Sequence, residues 1–311
     1  MWVLGIIFGV LVGLSLGLTG GGGALFTVPL LVYGLGSDPR EAVGVSLAAV
    51  GATSAIGLVG RLRARQVELR PGLIFAVAGM LSTPVGSWLS RQLPDSLLLL
   101  LFALLMLVIA ARIWRTVQPV ESLTNSELEV TGPACRRDRA GELRLNSRCA
   151  LLLSAVGVWT GILSGLFGVG GGFIIVPALI VFSGMPIQRA VSTSLLIMTL
   201  VSISGVTSHL LSGHRIDFEL TLLFVTGGIA GMFLGTAVGK RLTGPALQKG
   251  FAVAILAVSL FVIIRELSGM IRFTCAVPSQ PAISHKYVAV SPPIRATMAA
   301  TTTPSDQRRG L

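Results

Sequence analysis

The stretch GLTGGGGALFTVP, from Gly17 to Pro29, places four consecutive glycines inside an apolar segment that carries no charge. Each glycine in a helix interior costs about 1 kcal/mol relative to alanine, so a continuous helix through Gly20–Gly23 would lose about 4 kcal/mol. We therefore expect one helix to end at this cluster and a new helix to begin after it. The surrounding apolar run, from Trp2 to Gly36, is also too long for one perpendicular crossing of a bilayer.

The composition of the 311-residue chain is that of a polytopic membrane protein. Hydrophobic residues make up 52% of it and charged residues 12%, and the mean hydropathy is +0.83. The net charge of +11 comes largely from loops such as GRLRARQVELR, Gly60 to Arg70, which indicates membrane orientation rather than nucleic-acid binding. We expect a multi-pass protein of the cell (plasma or inner) membrane, with the lipid bilayer as its surroundings and no nucleic-acid partner.

The chain contains an internal duplication. The segment Gly9–Leu47 aligns with Gly157–Leu195 at an offset of 148 residues without a gap, and 16 of the 39 pairs are identical. The match resumes after a one-residue shift, so the two transmembrane repeats cover residues 1–115 and 150–268. The polar segment 116–149 between them predicts a cytoplasmic loop, and the residues 269–311, rich in Pro, Thr, Ala and Ser, predict a disordered tail.

A second periodicity appears inside the repeats, where small residues recur every four positions. Positions four apart lie on one helix face, and small side chains there let two helices approach closely in lipid. We therefore expect these stripes to be packing seams. They are Gly5, Gly9, Gly13 and Gly17, then Gly227, Gly231, Gly235 and Gly239, whose partners in the first repeat are Ala78, Ser82, Gly86 and Ser90.

The glycine cluster recurs in the second repeat at Gly168–Gly172, which predicts a second helix break. Irregular backbone at membrane depth is stable only where it is buried in protein or lines a wet cavity, so the two breaks are expected to meet at an interior site. The N–H groups at the start of each new helix attract an anion. Broken helices facing a midplane site between repeats are typical of secondary transporters. The alternative is that the glycines only permit close helix packing.

The predicted binding site combines uncharged donors from both repeats. Hydroxyl groups follow each cluster near the start of the next helix, where they could donate to an oxyanion; back-bonding to a helix carbonyl is the alternative for each. Pro29 and Pro177 are predicted structural hinges. The predicted substrate-binding residues are Gly20, Gly22, Gly23, Ser46, Gly168, Gly170, Gly171, Thr193 and Ser194.

Enzymatic motifs are weak. The GxSxG pattern at Gly13–Gly17 matches a serine-hydrolase elbow, but Leu163 replaces Ser15 in the duplicate, and the apolar segments carry no triad partners. The clusters also lack the Lys-Ser/Thr of a phosphate-binding loop. We expect no catalysis, no cofactor and no metal site.

The remaining titratable cluster, His209, His214, Asp217 and Glu219, is expected in a short solvated loop. The three cysteines, Cys135, Cys149 and Cys275, are expected to be free.

The doubled motif resembles that of the TauE/SafE-type sulfite exporters, also called the four-toluene-sulfonate uptake permease family. The resemblance rests on GLTGGGGALFTVPLL and GLFGVGGGFIIVPAL, each followed by an Ala-Val-x-x-Ser-Leu segment, at Ala42–Leu47 and Ala190–Leu195. It implies a permease for small sulfur-containing anions, such as sulfite or organosulfonates. The alternative hypothesis is a non-transporting accessory or assembly subunit that acts through residues 116–148.

The expected fold class is all-α, with two homologous repeats, each a glycine-broken helix pair followed by three transmembrane helices. If each broken segment is a re-entrant hairpin, an odd number of crossings inverts the second repeat; if it crosses once, the repeats are parallel. We predict inversion, because the basic loops Arg61–Arg70, Arg112–Arg148 and Lys240–Lys249 then share the cytoplasmic side. No Asp, Glu, Lys or Arg lies well inside the apolar helices, which favours export of an anion down its electrochemical gradient without a coupled ion.

Overall fold

The computed structural model of the protein describes residues 2–116, 136–137, 143–144, 147–213, 217–239, 250 and 253–266. Helices dominate these residues, as the sequence predicts, and strand pairing within them is limited to Arg136–Arg137 with Leu143–Arg144. The first repeat contains α1 (Trp2–Thr19), α2 (Ala24–Pro29) with a π-helical turn (Leu30–Gly34), α3 (Pro39–Arg63), α4 (Leu69–Gln92) and α5 (Asp95–Thr116). The second contains α6 (Ser147–Phe167), α7 (Gly172–Ser183), α8 (Ile187–Leu211), α9 (Phe218–Gly239) and α10 (253–266).

Six of these helices are long and apolar enough to cross a membrane: α1, α3, α4, α6, α8 and α9. Shorter apolar stretches of helix accompany them: Ala24–Gly34, Asp95–Ala111 within α5, and Gly172–Ser183. Many large apolar side chains on the outer faces of the long helices are exposed, for example Trp2, Leu81 and Leu211. Because such surface is unfavourable in water, the arrangement fits a lipid environment.

Both predicted helix breaks are present. The chain leaves helical geometry between Thr19 and Ala24 and again between Phe167 and Gly172. Gly20 and Gly168, which are equivalent in the duplication, have φ angles of +76° and +72°. Residues with a β-carbon avoid this left-handed region, so glycine ends both helices at the same point of the repeat.

The chain reverses direction at each break. A β-carbon built on Gly23 would meet the backbone of Val12 and Leu16, and one built on Gly34 would meet the ring of Phe8. Residues further from the break therefore lie closer to the start of α1, so α2 runs antiparallel to α1. The second break repeats this hairpin, because Gly171 lies against Thr160, the counterpart of Val12.

The glycine stripes are packing seams, as predicted, and each seam joins one repeat to the other. Gly9 of α1 contacts Gly227 of α9, and Gly17 contacts Gly235, so α1 and α9 pack in parallel. In the equivalent seam between α4 and α6, a β-carbon on Gly86 would meet the backbone of Ile162. Backbone-to-backbone contact of this kind is possible only with very small side chains.

The centre of the molecule is formed by α3 and α8, which occupy equivalent positions in the two repeats. Gly44 lies against His209, Gly51 against Ser202 and Gly57 against Leu195. The numbers rise along α3 while they fall along α8, so these helices pack antiparallel. They are also the most buried of the six candidate spans, with 67% and 61% of their apolar windows enclosed.

Candidate functional site

The two glycine breaks meet between the repeats. A β-carbon on Gly21 would meet the backbone of Gly172, and one on Gly172 would meet Gly21 in return. Both breaks are buried from the first glycine to the last. The close contact explains why even the glycines without a positive φ are required, since any side chain at Gly21 would separate the two hairpin tips.

The breaks are closed by different local interactions. In the first, the Gly22 N–H donates to Thr19 Oγ1 at 2.9 Å, and the Thr19 hydroxyl donates to the carbonyl of Ser15 at 2.7 Å. Phe167 stands at the position of Thr19 in the second break and offers no such acceptor. There Gly170 and Gly171 adopt φ angles of +67° and +70° instead. The second break therefore turns through its backbone alone.

Ser46 and Ser194, two of the predicted site residues, each form a hydrogen bond to the helix break of the other repeat. The Ser46 hydroxyl on α3 donates to the carbonyl of Gly168 at 2.6 Å, and the Ser194 hydroxyl on α8 donates to the carbonyl of Gly20 at 2.7 Å. Each serine thus binds the break of the other repeat, and both side chains are fully buried. The back-bonding that was the alternative for these residues applies in part to Ser194, which also lies 2.8 Å from the carbonyl of Val191.

Thr193 lies apart from these two serines. Its Oγ1 accepts the backbone N–H of Glu68 at 3.1 Å, and its methyl group faces Gly72. It therefore faces the loop between α3 and α4 rather than the hairpin tips. The structure brings the glycines, Ser46 and Ser194 together and leaves Thr193 at one end of the core.

The two proline positions differ. Pro29 is buried at the end of α2, where the chain passes into the π-helical turn. Pro177 lies inside the continuous helix α7 and is exposed. Both prolines lack the N–H that an α-helix uses, but the helix type changes only after Pro29.

A pair of buried hydroxyl groups on the two central helices, α3 and α8, was not predicted from the sequence. Ser54 on α3 is 0% exposed and Ser202 on α8 is 1% exposed, and neither side-chain oxygen has a hydrogen-bond partner among the described residues. They are equivalent at the offset of 148, so the duplication itself carried a usable signal. Thr27 and Ser164 also have buried hydroxyls without a partner in this part of the chain, but their counterparts are the apolar Ile175 and Leu16.

A small cationic pocket lies at one end of the core. It is lined by Arg40, Val43, Ser87, Ser90, Arg91, Gly165, His209 and Ser212. Gly165 precedes the second break by one turn, and Val43 contacts Gly168, so the pocket floor adjoins that break. Arg40 also pairs with Asp95 at 3.0 Å. The pocket therefore presents arginine side chains close to a hairpin tip.

The expectation for His209 is wrong. His209 lies within α8, is 7% exposed, and packs against Gly44 of α3. The helix extends further than the sequence predicts, since α8 continues to Leu211 and places His209 against α3. Asp217 and Glu219 are exposed, and Asp217 caps α9 by accepting the N–H of Glu219 at 2.9 Å. His214 lies outside the described residues.

Two further arginines, Arg61 and Arg189, lie at the opposite end of the core. The Arg61 guanidinium donates to the hydroxyl of Ser192 at 3.2 Å, and Arg189 pairs with Glu68 at 3.4 Å. Arginine side chains thus lie at both ends of the core, and the neutral hydroxyls and glycine backbones of the two breaks lie between them. No group of three or more His, Cys, Asp or Glu side chains that could hold a metal occurs among the residues that the structure describes.

The expectation of three free cysteines is also wrong. Cys149 is disulfide-bonded, and its partner lies outside the described residues. Local spacing gave no indication of the pairing, since the sequence has no CxxC motif.

Comparison with known protein families identifies the family to which the chain belongs. The family model described as Sulfite exporter TauE/SafE matches residues 5–262, from α1 into α10. The chain belongs to the TauE/SafE sulfite exporter family. The predicted resemblance is therefore confirmed, and the protein is a multi-pass membrane protein of a transporter family.

Relatives within the TauE/SafE family carry transporter names. A protein of Xylella fastidiosa (strain 9a5c), named "Probable membrane transporter protein", is 34% identical over 267 residues, covering 85% of this chain and 95% of the relative. The "Probable membrane transporter protein YunE" of Bacillus subtilis is 28% identical, covering 78% and 89%. The similarly named MJ0441 of Methanocaldococcus jannaschii is 24% identical, covering 83% and 94%. No solved structure matches the chain. These names do not favour the accessory-subunit hypothesis.

Proposed function

We propose that the protein exports a small sulfur-containing anion, of the sulfite or organosulfonate class, through a site between its two repeats. The observation that carries the proposal is the meeting of the two glycine breaks, Gly21 against Gly172, in a core with arginines at both ends. Family membership supplies the substrate class. Backbone and hydroxyl donors would replace the hydration shell of the anion without binding it too tightly for release.

The binding residues that we propose remain those predicted from the sequence, with one addition to their mechanism. In this conformation the Ser46 and Ser194 hydroxyls are bonded to Gly168 and Gly20 carbonyls, and the hairpin tips are in contact. We infer that substrate enters when the tips separate, which releases both hydroxyls to donate to the anion. Thr193 would contribute near the Arg61 end of the path.

We further propose that the repeats are inverted in the cell membrane. Three relative helix directions support this proposal: α2 is antiparallel to α1, α1 is parallel to α9, and the equivalent helices α3 and α8 are antiparallel. The pairing of Arg189 with Glu68, and of Arg40 with Asp95, groups the loops into the same two ends. By the positive-inside rule, the end with Arg61–Arg70 and the loop 116–149 would be cytoplasmic.

The test is solute flux in proteoliposomes containing the purified full-length protein. We expect flux of sulfite or of an organosulfonate above that of protein-free vesicles, with thiosulfate and carboxylates as the comparison panel. Absence of flux for every sulfur-containing anion would refute the proposal. A monoanion gains about 2.3 kcal/mol per 100 mV, equivalent to roughly a 50-fold gradient, so an imposed potential alone should drive it. Flux that ignores the potential and needs a proton gradient would refute the uncoupled mechanism.

A further inference from the structure

We propose that Ser54 and Ser202 bind the transported anion directly, as a symmetric pair of hydroxyl donors at the crossing of α3 and α8. The assignment rests on the proposed function, which it deepens by naming the groups at the deepest point of the path. Neither serine was among the residues that the glycine motifs identified.

The first support is energetic. Both side chains are enclosed, and neither oxygen has a hydrogen-bond partner among the described residues. A buried hydroxyl that lacks a partner destabilises the folded protein relative to alanine at the same position. Such a group at equivalent positions of both repeats points to a partner from outside the described residues.

The second support is the behaviour of other helical hydroxyls in the same molecule. Serine and threonine in a helix commonly donate to the carbonyl one turn earlier. Hydroxyls that do so here include Thr19, Thr83, Thr160, Ser192, Thr199 and Thr207. Ser54 and Ser202 lie within helices and have the same option, yet their hydroxyls do not take it.

The third support is position. Ser202 faces Gly51 of α3, where a β-carbon would lie 3.3 Å from its Oγ, and one on Gly170 of the second break would lie 3.8 Å from it. The register of α3 and α8 puts Ser54 three residues further along α3 than Gly51, a rise of about 4.5 Å. Ser202 therefore lies beside the second glycine break, and Ser54 lies nearly one turn further along α3 than the position that Ser202 faces.

The chemistry favours an anion over a cation as the missing partner. Hydroxyl groups can donate to sulfite or sulfonate oxygens, and the arginines at both ends of the core attract negative charge. The described parts of α3 and α8 carry acidic residues only at Glu41, in the first turn of α3, so neither helix places a carboxylate beside the two serines that would repel an anion.

The experiment compares Ser54→Ala, Ser202→Ala and the double variant with a matched control, Ser82→Ala. Ser82 is also buried, but its hydroxyl donates to the carbonyl of Gly79 within α4. In proteoliposomes with the anion that the wild type transports, we expect each alanine variant at positions 54 and 202 to raise KM about tenfold or more. The control should keep wild-type flux.

Thermal unfolding of the purified variants gives the second readout. Because the wild-type hydroxyls have no hydrogen-bond partner among the described residues, Ser54→Ala and Ser202→Ala should leave Tm unchanged or raised. A large fall in Tm, or loss of folded protein, would overturn the proposal by showing a structural role. Wild-type KM in both variants would overturn it while leaving the proposed function intact. Absence of wild-type flux for any anion would overturn both.

Discussion

The glycines of the two breaks serve different physical purposes even where they align. Only Gly20 of the first cluster has a positive φ, whereas Gly168, Gly170 and Gly171 of the second all do. In the first cluster, Gly21 and Gly23 are needed instead for backbone contact with the other hairpin and with α1. Identical residues at equivalent positions therefore satisfy either a dihedral requirement or a steric one.

Alanine substitutions at Gly168 and Gly184 would distinguish the steric requirement from the dihedral one. Gly168 and Gly184 both have positive φ, but a β-carbon on Gly168 would lie 2.7 Å from Val43 Cα, while one on Gly184 would meet nothing within 4 Å. Both substitutions should cost about 1–2 kcal/mol of backbone strain. Gly168→Ala should cost about 1–3 kcal/mol more from overpacking. Thermal unfolding in detergent measures the difference, and equal Tm values would contradict the close contact.

At the scale of elements, the seams between α1 and α9 and between α4 and α6 hold the molecule together. Each seam joins the first helix of one repeat to the fourth helix of the other, so neither repeat can pack completely alone. In lipid, apolar side chains gain nothing by leaving their solvent, and close packing between small residues supplies the attraction. The period-four glycines therefore stabilise the interface between the repeats.

The seam between α1 and α9 predicts that alanine destabilises the protein at Gly13, within the seam, but not at Gly60, outside it. A β-carbon on Gly13 would strike the carbonyl of Gly228, whereas one on Gly60 in α3 would meet nothing within 4 Å. Gly60→Ala should be neutral or stabilising by up to about 1 kcal/mol, because alanine favours the helix. Gly13→Ala should lower Tm despite the same helical gain, since α1 and α9 would have to separate. Size-exclusion profiles and Tm of both variants would check this, and a stabilised Gly13→Ala would contradict the seam.

At the scale of the whole molecule, the proposed inversion makes a prediction about equivalent loops. Gly36 and Gly184 are counterparts in the duplication, both have positive φ, and a β-carbon on either would meet nothing within 4 Å. In inverted repeats, cysteines at these two positions react with an impermeant thiol reagent from opposite faces of the membrane. Gly184→Cys should share a face with Gln66→Cys, and Gly213→Cys should share a face with Gly36→Cys.

Labelling in right-side-out and inside-out vesicles provides the measurement, with the unsubstituted protein as the control for native thiols. We expect Gln66→Cys and Gly184→Cys to react from the cytoplasmic face, in agreement with the basic residues nearby. Reaction of Gly36→Cys and Gly184→Cys from the same face would instead support parallel repeats.

The sequence by itself determined the all-helical membrane class, both helix breaks, the duplication and the small-residue seams. These features follow from local properties: the helix cost of consecutive glycines at Gly20–Gly23, the apolar length of each span and a period of four along one face. Each can be recognised within one short segment or by comparing the chain with itself.

Only the tertiary structure decided which groups meet. It bonded Ser46 to Gly168 and Ser194 to Gly20, buried His209 against Gly44, and left Ser54 and Ser202 enclosed without partners among the described residues. The physical reason is that these environments depend on contacts between helices more than one hundred residues apart in the chain. Helical periodicity specifies which face of a helix is small or apolar, but the facing helix and its register are set by packing between the repeats.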